Sequence, residues 1–361
     1  MINAKQVKGI MTLAGHIART TLSENHLPYK AEFLLTERCN SKCLTCTCWK
    51  RDQSGDGELS RLAVTRAVAS ISDSLKWVGL SGGEPGLRDD LADIASDVAA
   101  ACPKLVLMNV GSNGLLPERI ERHARRIAKL KIPFIMFALS MDGTREVHDK
   151  VRGIKGGFDR LIETADRLIP LERKYPAFSL SFQTTLSRYN CDNVEQIKRF
   201  LKLRYPDHAH IVTVATDGYA VAREVGPEIK ASGTEFEALN KLARSAGVKS
   251  LLDILPKAYL GQSLGFLKTD KSPVSCVAGK DMVLIDSRGN VRICDYIKES
   301  LGNLADFDYS LKSILQDVDN VARIKSFSNC RQCFSPCQAY PSLIRSPHKI
   351  LEGLFLSLAK R

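Results

Sequence analysis

Between residues 31 and 216, strand-like apolar runs of five to eight residues alternate six times with longer stretches, and no other feature constrains the fold as tightly. The runs are Ala31–Leu35, Lys76–Leu80, Leu105–Val110, Phe134–Ser140, Phe178–Thr185 and His210–Ala215. Between them lie amphipathic stretches with helical spacing: Leu62–Ser70, Asp90–Ala101, Pro117–Leu130, Phe158–Leu168 and Val194–Leu203. Strands that run parallel need long crossovers, and helices supply them. The pattern predicts an α/β protein built on a partial, open (β/α)6 TIM-like barrel, with its reactive residues where strands end and loops begin.

The remaining chain divides around that unit. Residues 1–30 read as a helical extension with apolar positions at Val7, Ile10, Met11, Leu13, Ala14 and Ile17. Residues 217–275 read as a helical connector, with its clearest helix near Phe236–Ala246. Met282–Ile285 and Asn290–Ile293 flank Asp286-Ser287-Arg288-Gly289 and predict a β-hairpin inside a small unit over 276–340. Residues 341–361 end in an amphipathic helix, Pro347–Arg361, with Ile350, Leu351, Leu354, Phe355 and Leu358 on one side.

Eleven cysteines, an odd number gathered mostly toward the two ends, suit metal ligation better than disulfides. No apolar run is long enough to span a membrane, and no signal-peptide pattern opens the chain; a cytoplasmic setting is expected. The net charge of +12 raises the question of nucleic acid, but basic residues are dispersed among acids and no nucleic-acid-binding pattern accompanies them. With the two terminal helices, that charge also allows peripheral contact with a membrane surface and a lipid-linked substrate.

Chemistry-bearing residues fall at consecutive strand ends. Cys39, Cys43 and Cys46 stand as C-x3-C-x2-C just after the first strand. Three thiolates this close can hold three irons of a [4Fe–4S] cluster and leave the fourth iron open to an exchangeable ligand. Ser81-Gly82-Gly83-Glu84-Pro85 follows the second strand and Val110-Gly111-Ser112-Asn113-Gly114 the third. Leu139-Ser140-Met141-Asp142-Gly143 follows the fourth and runs on into His148-Asp149 and Arg152-Gly153. Singly these are turns and surface residues. Together, in this order, they resemble the radical S-adenosylmethionine (radical SAM) superfamily.

The resemblance implies a cluster on Cys39, Cys43 and Cys46 that cleaves S-adenosylmethionine to a 5′-deoxyadenosyl radical. It implies cofactor contacts from Gly82, Gly83, Glu84, Pro85, Asn113, Ser140 and Arg152, with Gln183 and Thr185 facing the same cavity. One departure stands out: the family usually places an aromatic residue before the third cysteine, and here that residue is Thr45, with Trp49 as a substitute for stacking. Cys48 is extra to the motif and reads as a free buried thiol.

Cys276-x12-Gly289-x4-Cys294, followed by Cys330-x2-Cys333, resembles the auxiliary-cluster extension called SPASM in its long form and Twitch in its short form. Five cysteines after residue 275 are too few for two fully ligated clusters, so the short form is implied, with one auxiliary [4Fe–4S] cluster. Its expected ligands are Cys276, Cys294, Cys330 and Cys333, with Cys337 as a spare or a replacement. Two cysteine pairs could also hold zinc in a structural or nucleic-acid-binding protein, and that alternative stays open here. Asp295, directly after Cys294, corresponds in sulfatase-maturating relatives to a proton acceptor. The implied partners are a flavodoxin- or ferredoxin-type electron donor and a small-molecule or lipid-linked substrate. The alternative substrate is a ribosomally made peptide, although the roughly 30 residues before the first strand leave no room for the usual leader-binding module.

Overall fold

The structure is a computed structural model that describes residues 3–21, 23, 26–215, 225, 234–245, 253–297 and 299–357. Its helices are α1 (Ala4–Thr21), α2 (Arg61–Ala69), α3 (Leu91–Ala101), α4 (Pro117–Ile127), α5 (Arg145–Arg152), α6 (Gly157–Lys174) and α7 (Val194–Arg204). They continue with α8 (Thr234–Ser245), α9 (Ile254–Thr269), α10 (Leu311–Gln316), α11 (Val318–Ser326), α12 (Pro336–Ile344) and α13 (Pro347–Leu356). The strands are β1 (Lys30–Leu34), β2 (Trp77–Ser81), β3 (Leu107–Ser112), β4 (Phe134–Ser140), β5 (Phe178–Leu186), β6 (Ala209–Val214), β7 (Met282–Ile285), β8 (Asn290–Arg292) and β9 (Gly302–Asn303).

Among the described residues these strands form one sheet in the order β6-β5-β4-β3-β2-β1-β7-β8-β9. It is parallel from β6 to β7, antiparallel through β8 and β9, and does not close into a full barrel. The six predicted barrel strands are all present, in sequential order. Local cues explain the intervening helices. Ser60 caps α2 by accepting from the Ala63 N–H, and Pro117 opens α4 where a missing N–H costs nothing.

Strand alternation sorts the side chains into two faces. Ala31, Phe33, Val78, Leu80, Met108, Val110, Ile135, Phe137 and Leu139 pack with residues of α2, α3, α4 and α6 in the main core. The opposite, inner face carries Lys30, Glu32, Trp77, Ser81, Asn109, Ser140, Gln183 and Thr185. Chemistry therefore has one side of the sheet to itself.

Residues 276–340 do not stand apart from this sheet. β7 pairs in parallel with β1, with Lys30 opposite Met282 and Phe33 opposite Ile285. All four residues of β7 are buried, so the strand needs cover on both faces and finds it by extending the sheet. The predicted hairpin, β7 with β8, thus hangs from the barrel edge.

Both terminal helices dock on the body. α1 lies across the N-terminal ends of the strands, with Gly9 against Val106 and Pro133 and the Gln6 amide on the Pro176 carbonyl. Val7 and Met11 face outward. α13 crosses α9 at Gly261 and Gly353, where an added Cβ would strike the partner backbone at 1.9 and 2.3 Å. This contact splits the expected apolar stripe of α13: Ile350 and Leu354 turn partly inward, while Leu351 and Phe355 stay exposed. Leu358, Lys360 and Arg361 lie outside the described residues, as do 216–224, 226–233 and 246–252 of the connector. No helix among the described residues is long and apolar enough to cross a membrane.

Candidate functional site

The loop bearing Cys39, Cys43 and Cys46 crosses the C-terminal ends of the strands, and backbone hydrogen bonds hold its inner side. Leu35 N–H donates to the Ser81 carbonyl, Gly83 N–H to Thr36 (2.7 Å) and Glu84 N–H to Arg38 (2.8 Å). A Cβ on Gly82 would lie 2.4 Å from the Thr36 carbonyl oxygen, and one on Gly83 2.2 Å from that of Arg38. Gly82 also sits at φ +138°, where side chains are strained. The glycine pair thus admits the incoming cysteine loop itself, where the sequence pointed to a bound ligand.

From the other side, Lys42 N–H and the Ser41 hydroxyl both donate to the Arg152 carbonyl, and Leu44 N–H donates to that of Val151. The last turn of α5 is therefore stitched to the cysteine loop. The Arg152 guanidinium ion-pairs with Asp142 at 2.8 Å and brings Nη1 within 3.7 Å of Cys43 Sγ. Burial works against its charge, but Asp142 and the nearby thiols outweigh that and strengthen the cation. Its Nε is buried without a partner. Asp142 is fixed in turn: its other oxygen accepts the Thr185 N–H. His148 is buried, its pKa pushed down to about 3 by burial and by Arg152, and its Nδ1 accepts the Asp142 N–H. It organises the loop as a neutral ring.

Glu84 is wholly buried. One oxygen accepts Gly86 N–H and the Ser112 hydroxyl, the other Asn113 N–H at 2.7 Å. Burial raises its pKa against those hydrogen bonds. Its carboxylate is spent on fixing Asn113, whose amide reaches Asn40 at 2.8 Å and Cys39 Sγ at 4.0 Å. Pro85 is buried in the same turn. Ser140 and Gln183 lie side by side in register at the ends of β4 and β5, both half-buried, with Thr185 further along β5.

Cys39, Cys43 and Cys46 are each half-buried at this mouth. Burial lifts the Cys39 thiol to about 12. Cys46 is drawn down to about 7, chiefly by a hydrogen bond from the Cys48 thiol. Cys48 is thus buried and directed at the Cys46 sulfur. Trp49 donates its indole N–H to the Cys46 carbonyl.

Sequence reasoning missed the outer brace of the loop. Gln53 accepts the Cys39 N–H at 2.8 Å and donates to the Cys48 carbonyl. Glu58 pairs with Arg38 and accepts the Thr36 hydroxyl. Buried Arg88 donates to the Leu35 and Leu59 carbonyls. Only their contacts reveal them, since no motif spacing marks polar residues that fold back on a loop.

The second cysteine group is gathered from three segments. Cys276 N–H donates to the Cys330 carbonyl, and Cys294 lies just past β8. Cys276 and Cys333 are each raised to about 12, chiefly by burial, with Cys294 and Cys330 adding to both and Cys276 to Cys333. Cys337 feels a different set: burial lifts it to about 11, and its charged neighbours are Lys30, Glu32 and Asp295. Cys276, Cys294, Cys330 and Cys333 therefore share one environment, and Cys337 faces the barrel interior. Asp295 is buried within electrostatic reach of Cys294, Cys337 and Arg51 of the first cysteine loop, between the two groups.

Among the described residues, no three ligating side chains converge on a single metal ion. Tetrahedral zinc would draw four sulfurs to about 2.3 Å from one centre. A cubane would offer each thiolate its own iron, and soft thiolates suit either centre. At the first group, soft donors, two polar side chains on the sulfurs and a buried unpaired guanidinium nitrogen all fit a cluster that carries a carboxylate-bearing ligand.

The family model of the Radical SAM superfamily matches residues 33–201, the stretch that supplies the first cysteine loop and the C-terminal ends of β1 to β5. Residues 33–201 form a radical SAM domain. The chain is similar to the Fe-coproporphyrin III synthase of Methanosarcina barkeri, 35% identical over 130 residues, which is 35% of this chain and 30% of that protein. It is similar to a probable GTP 3′,8-cyclase of Metallosphaera sedula, 25% identical over 270 residues, 73% of this chain and 79% of that one. Its fold is similar to Streptococcus suis SuiB, solved with S-adenosylmethionine, at a TM-score of 0.61 and 16% identity over 88% of this chain and 72% of that one. The chain spans about a third of the length of several curated relatives it matches, from 30% to 37%. Radical SAM proteins take a [4Fe–4S] cluster and S-adenosylmethionine, and the matched residues include Cys39, Cys43 and Cys46.

Proposed function

We propose that this protein is a radical SAM enzyme acting on a small polar molecule. Cys39, Cys43 and Cys46 would ligate the catalytic [4Fe–4S] cluster; Cys276, Cys294, Cys330 and Cys333 would ligate an auxiliary one. The observation that carries this reading is the convergence, within the matched residues 33–201, of the cysteine loop, Asn113, Ser140, Arg152 and Gln183 at the C-terminal edge of one parallel sheet. When bound, the cluster and S-adenosylmethionine supply a 5′-deoxyadenosyl radical that takes a hydrogen atom from a substrate carbon.

This chain's own residues do the rest. Arg152, held by Asp142, offers its guanidinium to the methionine carboxylate, and Ser140 and Gln183 offer polar contacts beside it. Gly82 and Gly83 keep the cysteine loop tight against the sheet, and Gln53 and Glu58 brace its outer side. Asp295, between the two cysteine groups, is placed to accept a proton from a substrate bound on the inner face. Exposed Lys42 and Lys50 on the first cysteine loop suit a flavodoxin- or ferredoxin-type electron donor with an acidic face.

A peptide is the second reading. Its support is that SuiB, whose fold this chain shares, is also solved with its precursor peptide SuiA.

Anaerobic reconstitution tests the proposal. About eight irons per chain are expected, with 5′-deoxyadenosine formed on reduction. Cys333→Ser should lower the iron to about four while Cys337→Ser leaves it unchanged. Stoichiometric zinc and no cleavage would overturn the reading. Equal iron loss from both serine variants would overturn the ligand assignment alone.

A further inference from the structure

The inner face of the sheet holds a buried ion pair that none of the cluster-binding residues uses. Lys30 and Glu32 are 2% and 6% exposed, and Lys30 Nζ lies 3.6 Å from Glu32 Oε2. Lys30 is otherwise committed: its ammonium sits 4.3 Å from the centre of the Trp77 ring and donates to the Cys337 carbonyl at 3.1 Å. Trp77 is itself pinned by its indole N–H on Asn109 Oδ1. These side chains close the bottom of the inner face.

Glu32 has capacity to spare. Its carboxylate lies flat over Gly79, where any Cβ would be 2.1 Å from Oε2. One oxygen accepts the Ser81 hydroxyl at 3.3 Å and the other faces Lys30 beyond hydrogen-bond distance. A carboxylate has about four acceptor sites, so at least two remain. The next layer toward the cysteine loop is made of small side chains. Ser81, Gly111 and Ala138 follow one another in register, and all three are half-buried and reached by solvent. The layer above that holds Ser140 and Gln183. A carboxylate acceptor thus lies at the base of the inner face, one layer below small side chains that solvent reaches and on the side of the strand ends that carry Ser140 and Gln183.

We propose that Glu32 anchors the substrate by accepting a hydrogen bond from a hydroxyl or amino group, and that the floor selects against an anionic end. This rests on the proposed cleavage of S-adenosylmethionine at the same sheet edge. Along the inner face of β1–β5, Lys30 is the sole basic side chain among the strand residues, and it is already engaged. A phosphate chain would find there one occupied cation and an opposing carboxylate. A donor-bearing sugar, aminosugar or cyclitol would meet an acceptor pre-set by Ser81 and Lys30.

The test is equilibrium dialysis of reconstituted, S-adenosylmethionine-loaded protein against radiolabelled glucose, glucosamine and inorganic tripolyphosphate. The sugars should be retained and tripolyphosphate should not; tighter retention of glucosamine than glucose identifies the donor as an amine, and the reverse as a hydroxyl. Glu32→Gln, with its iron content checked against wild type, should weaken sugar retention about tenfold, the weight of one hydrogen bond to a charged group. Should that variant fail to fold, Glu32→Asp, which withdraws the carboxylate by one methylene, is expected to weaken retention as well. Unchanged sugar retention in the variant, or retention of tripolyphosphate by wild type, overturns the assignment of Glu32. Wild type that cleaves S-adenosylmethionine but retains neither sugar overturns the floor alone; wild type that does not cleave overturns the reading beneath it.

Discussion

At the C-terminal ends of β1 to β5 the chain joins to itself through main chain: Gly83 and Glu84 N–H groups on Thr36 and Arg38, and Lys42 and Leu44 N–H groups on α5. At the N-terminal ends main chain joins too, with the Tyr29 and Lys30 N–H groups on the Asp281 carbonyl, and a buried side-chain cluster adds a second tie. Arg345 of α12's end pairs with Asp281 at 2.6 Å, reaches the Ile17 carbonyl, and donates to the hydroxyls of Thr20 and Thr21 of α1; His26 also meets Asp281, at 2.6 Å. At the C-terminal end Asn113 and Arg152 still turn polar groups toward the cysteine sulfurs. At the N-terminal end Arg345, His26 and Asp281 turn theirs toward one another and α1. One end of the sheet serves chemistry and the other serves stability, as parallel βα architectures generally divide the work.

Cys43→Ala should break the first end most severely. It removes a proposed cluster ligand and the sulfur beside Arg152, so reductive formation of 5′-deoxyadenosine should fall to the level of cluster-free protein, while the unfolding midpoint moves little. Cleavage at a substantial fraction of wild type would remove this loop from the chemistry. Asp142→Asn comes next and should affect both properties. It leaves the buried Arg152 guanidinium without its anion, at a cost of about 3 kcal/mol in urea unfolding, and should weaken S-adenosylmethionine binding. A variant with wild-type stability would show that the pair is better hydrated than its burial implies.

The second end gives the matching control. Asp281 is buried, which opposes its charge, but His26 and Arg345 outweigh that and hold its pKa below the usual carboxylate value. The depressed folded pKa means its contribution is present above about pH 3.9 and is lost as pH falls through the lower folded value. Asp281→Asn should cost about 2 kcal/mol in urea unfolding near neutral pH, because Arg345 keeps its carbonyl and hydroxyl acceptors on α1. Binding of S-adenosylmethionine should not change. A loss of binding equal to that of Asp142→Asn would erase the distinction between the two ends.

How much of this was legible before the structure follows the same divide. The six barrel strands could be read because apolar runs with intervening helical spacing have few other solutions, and β4 matches its predicted span, Phe134–Ser140. The first cysteine loop could be read because its ligands fall within eight residues. The grouping of Cys276, Cys294, Cys330 and Cys333 could be proposed only by resemblance, since three separate segments must meet to make it. Glu32 and Lys30 were not legible at all: in a strand whose neighbours are apolar, two charges look like surface residues until register places them opposite Gly79 and Trp77. Likewise the exposure of Leu351 and Phe355 on α13 depends on its crossing at Gly353, which helical periodicity does not encode.

The smallest expected effect lies near the start of β6, away from both cysteine groups. His208 Nε2 lies 2.7 Å from Glu172 Oε2, and that carboxylate's other oxygen accepts the Leu180 N–H, tying α6 to β5. The hydrogen bond to Glu172 raises the imidazole pKa against partial burial. A raised folded pKa means the stabilisation is complete below the unfolded value of about 6.5 and disappears as pH rises through the folded value. Both side chains are partly open to solvent, so the effect should stay below about 1 kcal/mol. The difference in urea midpoint between wild type and His208→Gln should therefore be positive near pH 5.5 and close to zero near pH 8.5, the two sides of that window. A difference that grows with pH would mean that the neutral ring, packed edge-on against Phe182 and Tyr205, is the form the fold prefers.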